Sequence, residues 1–416
     1  MNTAQKISRA AGRIRSSDIR DLLQYAQQPG MISMAGGLPA AELFDQAGIQ
    51  ASTQQVLREH HMIALQYGMT EGQPALRQEL ASLMAQRGCP TDAQDILVTT
   101  GSQQALDLIV RTLIDEGDCV VLERPSYLAA IQVLQLAGAR MLTLPGDAQG
   151  ARIDLLPELV GAQRPKLIYV VSNFANPSGA CLSLERRKLL LRWAVANQVM
   201  VIEDDPYGDL RYRGERLPSL LELARGIPGA ESCCGYISTL SKAIAPGLRL
   251  GWAVLPPLLR ASAVKVKQSM DLHTSSFTQE IAAHYLASGR LAEHLTKVRA
   301  AYSSRGEALA QALCVTFGDE IEFNRPAGGM FLWGRFKSGI DTRKLLDIAR
   351  LEGVIFVPGD TFYADSPDHS SLRLSFVTCT EDQLREGVKR LASAYAEINL
   401  DNAELRPLRN STSFSG

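Results

Sequence analysis

No stretch of this 416-residue chain stays apolar long enough to cross a bilayer, so a membrane-spanning helix is not expected. Nor is there an excess of either charge: 43 Lys and Arg stand against 44 Asp and Glu, a formal net charge of −1. That balance excludes a general nucleic-acid or membrane-surface binder, which needs basic residues to displace counterions. The seven cysteines (Cys89, Cys119, Cys181, Cys233, Cys234, Cys314, Cys379) are odd in number, scattered and without C-x-x-C spacing. They suit neither a disulfide framework nor a zinc knuckle, and no metal site is expected. The opening MNTAQKISRAAGRIRSSD has no apolar centre and does not read as a secretory signal. No internal repeat or extended low-complexity stretch appears. The expectation is a soluble protein of a reducing compartment, the cytoplasm. Aromatic residues make up only 6% of the chain, so an aromatic set in a polar motif attracts notice.

What is present is a core-forming composition, 46% hydrophobic and 21% charged, at a length suited to one large domain plus a satellite. Between about residues 95 and 256, short apolar runs alternate with helical patterns. The runs are DILVTTG (95–101), CVVLERP (119–125), RMLTLPG (140–146), KLIYVVS (166–172), VMVIEDD (199–205), GYISTLS (235–241) and LRLGWAVLP (248–256). They are nearly continuous in apolar and β-branched residues, as strands covered on both faces require. Segments such as SQQALDLIVRTLIDEG and SLERRKLLLRWAVANQ carry helical spacing between them. The alternation predicts an α/β fold with a mostly parallel, seven-stranded sheet and ligands beyond the strands' carboxyl ends. A long helix near 288–316 then leads to strands near 321–336, 354–358 and 371–378, a smaller α+β domain. The expected division is an N-terminal segment over 1–45, a large domain over 46–287, a small domain over 288–400, and a frayed polar tail over 401–416.

Polar clusters fall where these strands stop. In TLSKAIAPGLRLGW (239–252), Lys242 follows an apolar strand and the hydroxyls Thr239 and Ser241, with Arg249 further on. A partly desolvated lysine beside cationic groups is favoured as the neutral amine, able to attack a carbonyl. Hydroxyls and a guanidinium nearby are donors for a phosphate. Taken alone, the segment reads first as a surface lysine on a Pro-Gly turn. In TTGSQQALDL (99–108), Gly101, Ser102 and Gln103 mark a strand-to-helix junction, either an anion site or an ordinary cap. Tyr127 in ERPSYLAA is a stacking ring or a rim residue, and Asn176 in SNFANPSG begins a turn. IEDDPYGDL ends a strand with Asp204 and Asp205 just before Tyr207; a carboxylate there can hold a proton on a ring nitrogen, or simply be solvated. SLRLSF sets Arg373 in apolar alternation, where it needs an anionic partner such as a substrate carboxylate.

In this order, with ISMAGGLPAAELF, LQYGMTEGQPALR, DLHTSSFTQ and PAGGMFLW, the motifs resemble the fold type I, pyridoxal-5′-phosphate-dependent aminotransferases, and within them the 2-aminoadipate/kynurenine aminotransferase-like group. The likeness runs from about residue 10 to 398. It implies amino transfer from an L-amino acid to a 2-oxo acid, with 2-oxoglutarate and glutamate as one pair and pyridoxamine 5′-phosphate as the alternate cofactor form. Lys242 would bind the cofactor as an internal aldimine and shuttle the substrate α-proton; Asp204 would pair with the ring nitrogen, with Asp205 its structural neighbour. Asn176 and Tyr207 would hydrogen-bond the ring oxygen and Tyr127 would stack. Ser102, Gln103, Ser241 and Arg249, assisted by Thr239, would hold the phosphate, joined by Tyr67 from a neighbouring subunit of a homodimer with shared sites. Arg373 would take the substrate α-carboxylate. Gly36, Gly37 and Arg20 resemble an N-terminal segment covering the substrate, with Arg20 a candidate for a distal carboxylate.

One departure bears on substrate. Where relatives read P-S-F-Q ahead of N-P-T-G, this chain has Ser172-Asn173-Phe174-Ala175, which leaves Asn176 but alters the pocket's neighbour. Two other readings stay open at this level. One is a same-fold enzyme performing elimination or replacement, racemisation or decarboxylation; the other is a non-catalytic effector domain of a transcription regulator.

Overall fold

The computed structural model describes residues 7–14 and 18–410. Its larger sheet is built from β1 (Ile96–Thr99), β2 (Cys119–Arg124), β3 (Arg140–Asp147), β4 (Gly150–Ala151), β5 (Leu167–Val170), β6 (Met200–Asp204), β7 (Cys234–Thr239) and β8 (Gly251–Val254). The spatial order is β1-β8-β7-β6-β5-β2-β3-β4. Pairs β7/β6, β6/β5, β5/β2 and β2/β3 are parallel, whereas β8 runs antiparallel between β1 and β7. All seven runs read from the sequence form strands. The eighth, β4, corrects the count: it is a two-residue edge strand folded back on β3 through a polar turn, with Gly146 opposite Ala151. Its residues carry no apolar run, so periodicity could not announce it. β1, β5 and β8 are buried along their whole length, which is why their sequences are apolar without alternation.

Helices α1 (Ser102–Leu113) and α2 (Leu184–Asn197) pack on the larger sheet, and the smaller part follows the helix α3 (Arg290–Phe317). An antiparallel sheet of β9 (Ile321–Phe323), β10 (Phe331–Phe336), β11 (Val357–Pro358) and β12 (Ser371–Ser375) has the order β9-β10-β12-β11. Helices α4 (Thr342–Leu351) and α5 (Glu381–Asn410) complete it. Helix α5 corrects the expected tail: residues 402–410 continue the helix, consistent with the helix formers Ala403, Glu404, Leu405 and Arg406 in that stretch, and 411–416 lie outside the described residues.

The N-terminal segment ties the two parts across the site. Ile32–Ser33 pairs in parallel with Val354–Ile355, and the Ser375 amide donates to the Met34 carbonyl at 2.7 Å. Further on, the Ala40 amide donates to the Tyr302 hydroxyl on α3 at 2.9 Å. Residues 35–38 are thereby laid over the carboxyl ends of β6 and β7.

Candidate active site

Because β2, β5, β6 and β7 are parallel, the residues that end them converge on one edge, together with the turn after β1. There a cavity of about 330 Å³ is lined by Ser102, Gln103, Tyr127, Asn176, Asp204, Tyr207, Thr239, Ser241, Lys242, Arg249 and Arg373, with Gly37 above them. Residues as far apart in sequence as Gly37 and Arg373 meet in one volume.

Lys242 lies three residues past β7. Its Nζ donates to the Gly37 carbonyl at 2.8 Å. Burial, reinforced by the positive charges of Arg373 and Arg249, brings its pKa down to about 8. A neutral amine is therefore accessible near physiological pH.

The anion-binding corner is set by backbone. Gly101 has φ +83° and precedes α1 (Ser102–Leu113), so the helix's unpaired amino end opens on the cavity. The Thr239 hydroxyl donates to Ser241 Oγ at 2.9 Å and Arg249 closes the side, held at φ +53°. The turn needs room: a Cβ on Gly251 of β8 would sit 2.6 Å from the Gly101 carbonyl carbon and 2.7 Å from the Ser102 nitrogen. These are backbone atoms and cannot swing aside. Gly251→Ala is expected to lower stability by about 1–3 kcal/mol in urea unfolding and to weaken phosphate-bearing ligands. Unchanged unfolding and binding would show that the turn yields freely.

Asp204 ends β6 as a buried carboxyl. Its Oδ2 accepts from the Tyr169 hydroxyl at 2.6 Å, and its Oδ1 has no partner among the described residues. Burial, joined by the charges of Asp205 and Glu203, raises it to about 7. Asp205 does different work: it accepts from the Gly208 amide at 2.9 Å and from Asn173 Nδ2 at 3.0 Å, closing the turn that carries Tyr207. Glu203, on the opposite face from Asp204, is likewise raised to about 7 by burial. It accepts from the Leu220 amide at 2.7 Å.

Arg373 on β12 is 1% exposed. Its guanidinium lies 4.3 Å over the Phe331 ring and 4.8 Å over the Phe362 ring, donating to Asn176 Oδ1 at 2.8 Å and to the Ala35 carbonyl at 2.6 Å. No carboxylate pairs with it among the described residues, and Nε is unpartnered. Burial lowers its pKa to about 10, a measure of how poorly its charge is compensated. Burial likewise pushes Tyr127 up to about 12 and Tyr207 well above the ordinary phenol range, so both are neutral donors.

Three predicted residues are not brought into this cavity. Gly36 is buried but does not line it. Arg20 is exposed on the helix Asp18–Tyr25. Tyr67 is 78% exposed, its ring edge-on to His273 at 5.8 Å, amid the exposed Met62 and Leu65. Two residues that sequence reasoning passed over matter here. Val171 lines the cavity and Tyr169 bonds Asp204; both lie on one face of the chain at β5, hidden in KLIYVVS as core. The signal was the phenol of Tyr169, a buried hydroxyl that must find a partner.

The arrangement fits a flat, phosphorylated heteroaromatic aldehyde: hydroxyls and a helix end for phosphate, a lone carboxyl oxygen for a protonated ring nitrogen, and an amine for the aldehyde. The unpaired Arg373 adds a place for a carboxylate. Comparison with known proteins agrees. A family model described as aminotransferase class I and II matches residues 39–391. A 2-aminoadipate transaminase of Thermus thermophilus is 40% identical over 95% of this chain and 97% of its own. An aromatic-amino-acid aminotransferase of Thermococcus litoralis is 39% identical over 92% of each. Among solved structures, the α-aminoadipate aminotransferase LysN of T. thermophilus, complexed with N-(5′-phosphopyridoxyl)-L-leucine, superposes with a TM-score of 0.88. It is 38% identical and covers 96% of this chain and 100% of that one.

Proposed function

The chain belongs to the class I and II aminotransferases and is a pyridoxal-5′-phosphate-dependent enzyme moving an amino group from an amino acid to a 2-oxo acid; from that premise we propose how its residues divide the work. When bound, the cofactor supplies an electron-poor ring that accepts negative charge from the substrate's Cα. Ser102, Gln103, Ser241, Thr239 and Arg249 hold the phosphate. Asp204, through its free Oδ1, keeps the ring nitrogen protonated. Tyr127 stacks on the ring, and Asn176 and Tyr207 donate to its oxygen. Arg373 receives the α-carboxylate, which orients the Cα–H bond toward Lys242. With the cofactor bound, Nζ of Lys242 would hold its aldehyde and, as a neutral amine, would take that proton and give it back. Gly37, on the covering segment, limits water.

The observation that carries this reading is a partly buried lysine amine lining the same cavity as Asp204, whose Oδ1 has no partner among the described residues, and a desolvated Arg373 that no carboxylate pairs with among them. We further propose 2-oxoglutarate as acceptor and a homodimer in which Tyr67 of one subunit reaches the phosphate of the other. The exposed apolar residues around it, Met62 at 79% and Leu65 at 70%, support that pairing. All seven cysteines are free, which supports a reducing compartment, the cytoplasm.

The test adds single amino donors, 2-aminoadipate, aromatic and aliphatic, to the holoenzyme without acceptor. One equivalent of pyridoxamine 5′-phosphate and of the matching 2-oxo acid should form per site with the accepted donors. Persistent pyridoxal 5′-phosphate with every donor would defeat the reading.

A further inference from the structure

We propose that Tyr169 is a positioning residue for amino transfer: its buried hydroxyl holds one oxygen of Asp204 so that the other faces the cofactor's ring nitrogen as a carboxylate oxygen. The inference rests on the reading of Asp204 given above and adds a residue that touches neither cofactor nor substrate.

β5 consists of Leu167, Ile168, Tyr169 and Val170, so the phenol is its one polar side-chain group. Tyr169 is 0% exposed and Asp204 3%. In the parallel register Tyr169 lies opposite Ile202, which puts Asp204 one step further along the same face. The hydroxyl meets Oδ2 at 2.6 Å, short for a neutral donor and typical of a bond to a carboxylate. That bond fixes the carboxyl rotation and leaves Oδ1, on a residue that lines the cavity, buried and without a partner among the described residues.

The groups facing Asp204 make the contact more than geometric. Burial raises its pKa, joined by the charges of Asp205, just past β6, and Glu203 on the strand itself; the charge of Asp204 in turn raises Tyr127 and Tyr207, from the β2 end and the turn after β6. The Tyr169 hydrogen bond is the one influence in the opposite direction. Without it Asp204 stays protonated to higher pH and cannot accept a hydrogen bond from the protonated ring nitrogen until then.

The experiment measures the dissociation constant of pyridoxal 5′-phosphate for the apoenzyme between pH 5.5 and 9, for wild type, Tyr169→Phe, Tyr236→Phe and Asp204→Asn. Tyr236 is a second buried phenol, bonded to Asp205 at 3.2 Å, and serves as the control. With Asp204 half-ionised near pH 7 in the wild type, Tyr169→Phe should move the acid limb of the affinity upward by about one pH unit. Binding is then about ten-fold weaker at pH 6 and equal to wild type near pH 9. Tyr236→Phe should leave the limb in place. The positioning role is overturned if Tyr169→Phe loses affinity equally at every pH, loses none, fails to fold, or is matched by the control. Failure of the underlying reading has its own signature: Asp204→Asn would then bind the cofactor like wild type throughout.

Discussion

Lys242→Ala is expected to lower turnover by about four orders of magnitude while the protein stays folded and still takes up cofactor. Proton transfer by a placed side chain contributes ~10²–10⁴-fold, and Lys242 has a second role in carrying the aldehyde covalently. Folding should survive because Lys242 sits past the end of β7, where its Nζ makes a single hydrogen bond, to Gly37. Cofactor should still bind because the phosphate corner and Asp204 are untouched. The sign of the pH dependence follows from the depressed pKa. A lysine at about 8 is neutral in roughly one molecule in ten at pH 7, and that fraction grows as pH rises through 8. The rate of aldehyde capture by the apoenzyme should climb over the same interval. Steady-state oxo-acid production and stopped-flow capture check both points; a variant turning over within ten-fold of wild type would remove Lys242 from the chemistry.

The second large effect belongs to Arg373. Its guanidinium is clamped between two phenyl rings and lacks an anionic partner among the described residues, which costs folding energy and leaves a ready receptor for a carboxylate. Arg373→Gln should reduce kcat/KM for amino acids by about 10³-fold, the scale of losing a buried, hydrogen-bonded charge pair of ~2–5 kcal/mol. An amine with the same side chain and no carboxylate separates recognition from disruption, because it never used the guanidinium. Its low rate should change less than about three-fold. Equal losses for both substrates would mean that Arg373 acts by holding Asn176 and Ala35 in place, the two groups it bonds in the absence of substrate.

The same contrast of local pattern and distant contact governs how much could be read in advance. Most of the seven long strands were legible because burial on both faces leaves an apolar run, as in the CVVL of CVVLER and the MVI of MVIED; the half-exposed β3 is the exception. The two-residue β4 and the last turns of α5 were not, since a Gly-Ala pair after a polar turn and a polar helix end look like loop. Lys242, Asp204, Asn176 and Arg373 stood out because charge or amide at the end of an apolar run is locally anomalous. Tyr169 did not, because a tyrosine in a core strand is ordinary until its hydroxyl is seen to meet a carboxyl. Tyr67 and Arg20 carry motif signals yet lie outside the cavity of a single chain, so their assigned roles wait on a partner subunit or on movement of the N-terminal helix.

By itself, then, the amino-acid order determined the layers, the strand ends and the residue types offered there, since periodicity and composition are properties of neighbours along the chain. Only the folded structure decided which oxygen of Asp204 is free, that Lys242 reaches Gly37, and that Arg373 lies between Phe331 and Phe362. Those facts depend on contacts between residues as far apart as 205 positions, and desolvation, which sets the amine and carboxyl chemistry, exists only once such contacts close.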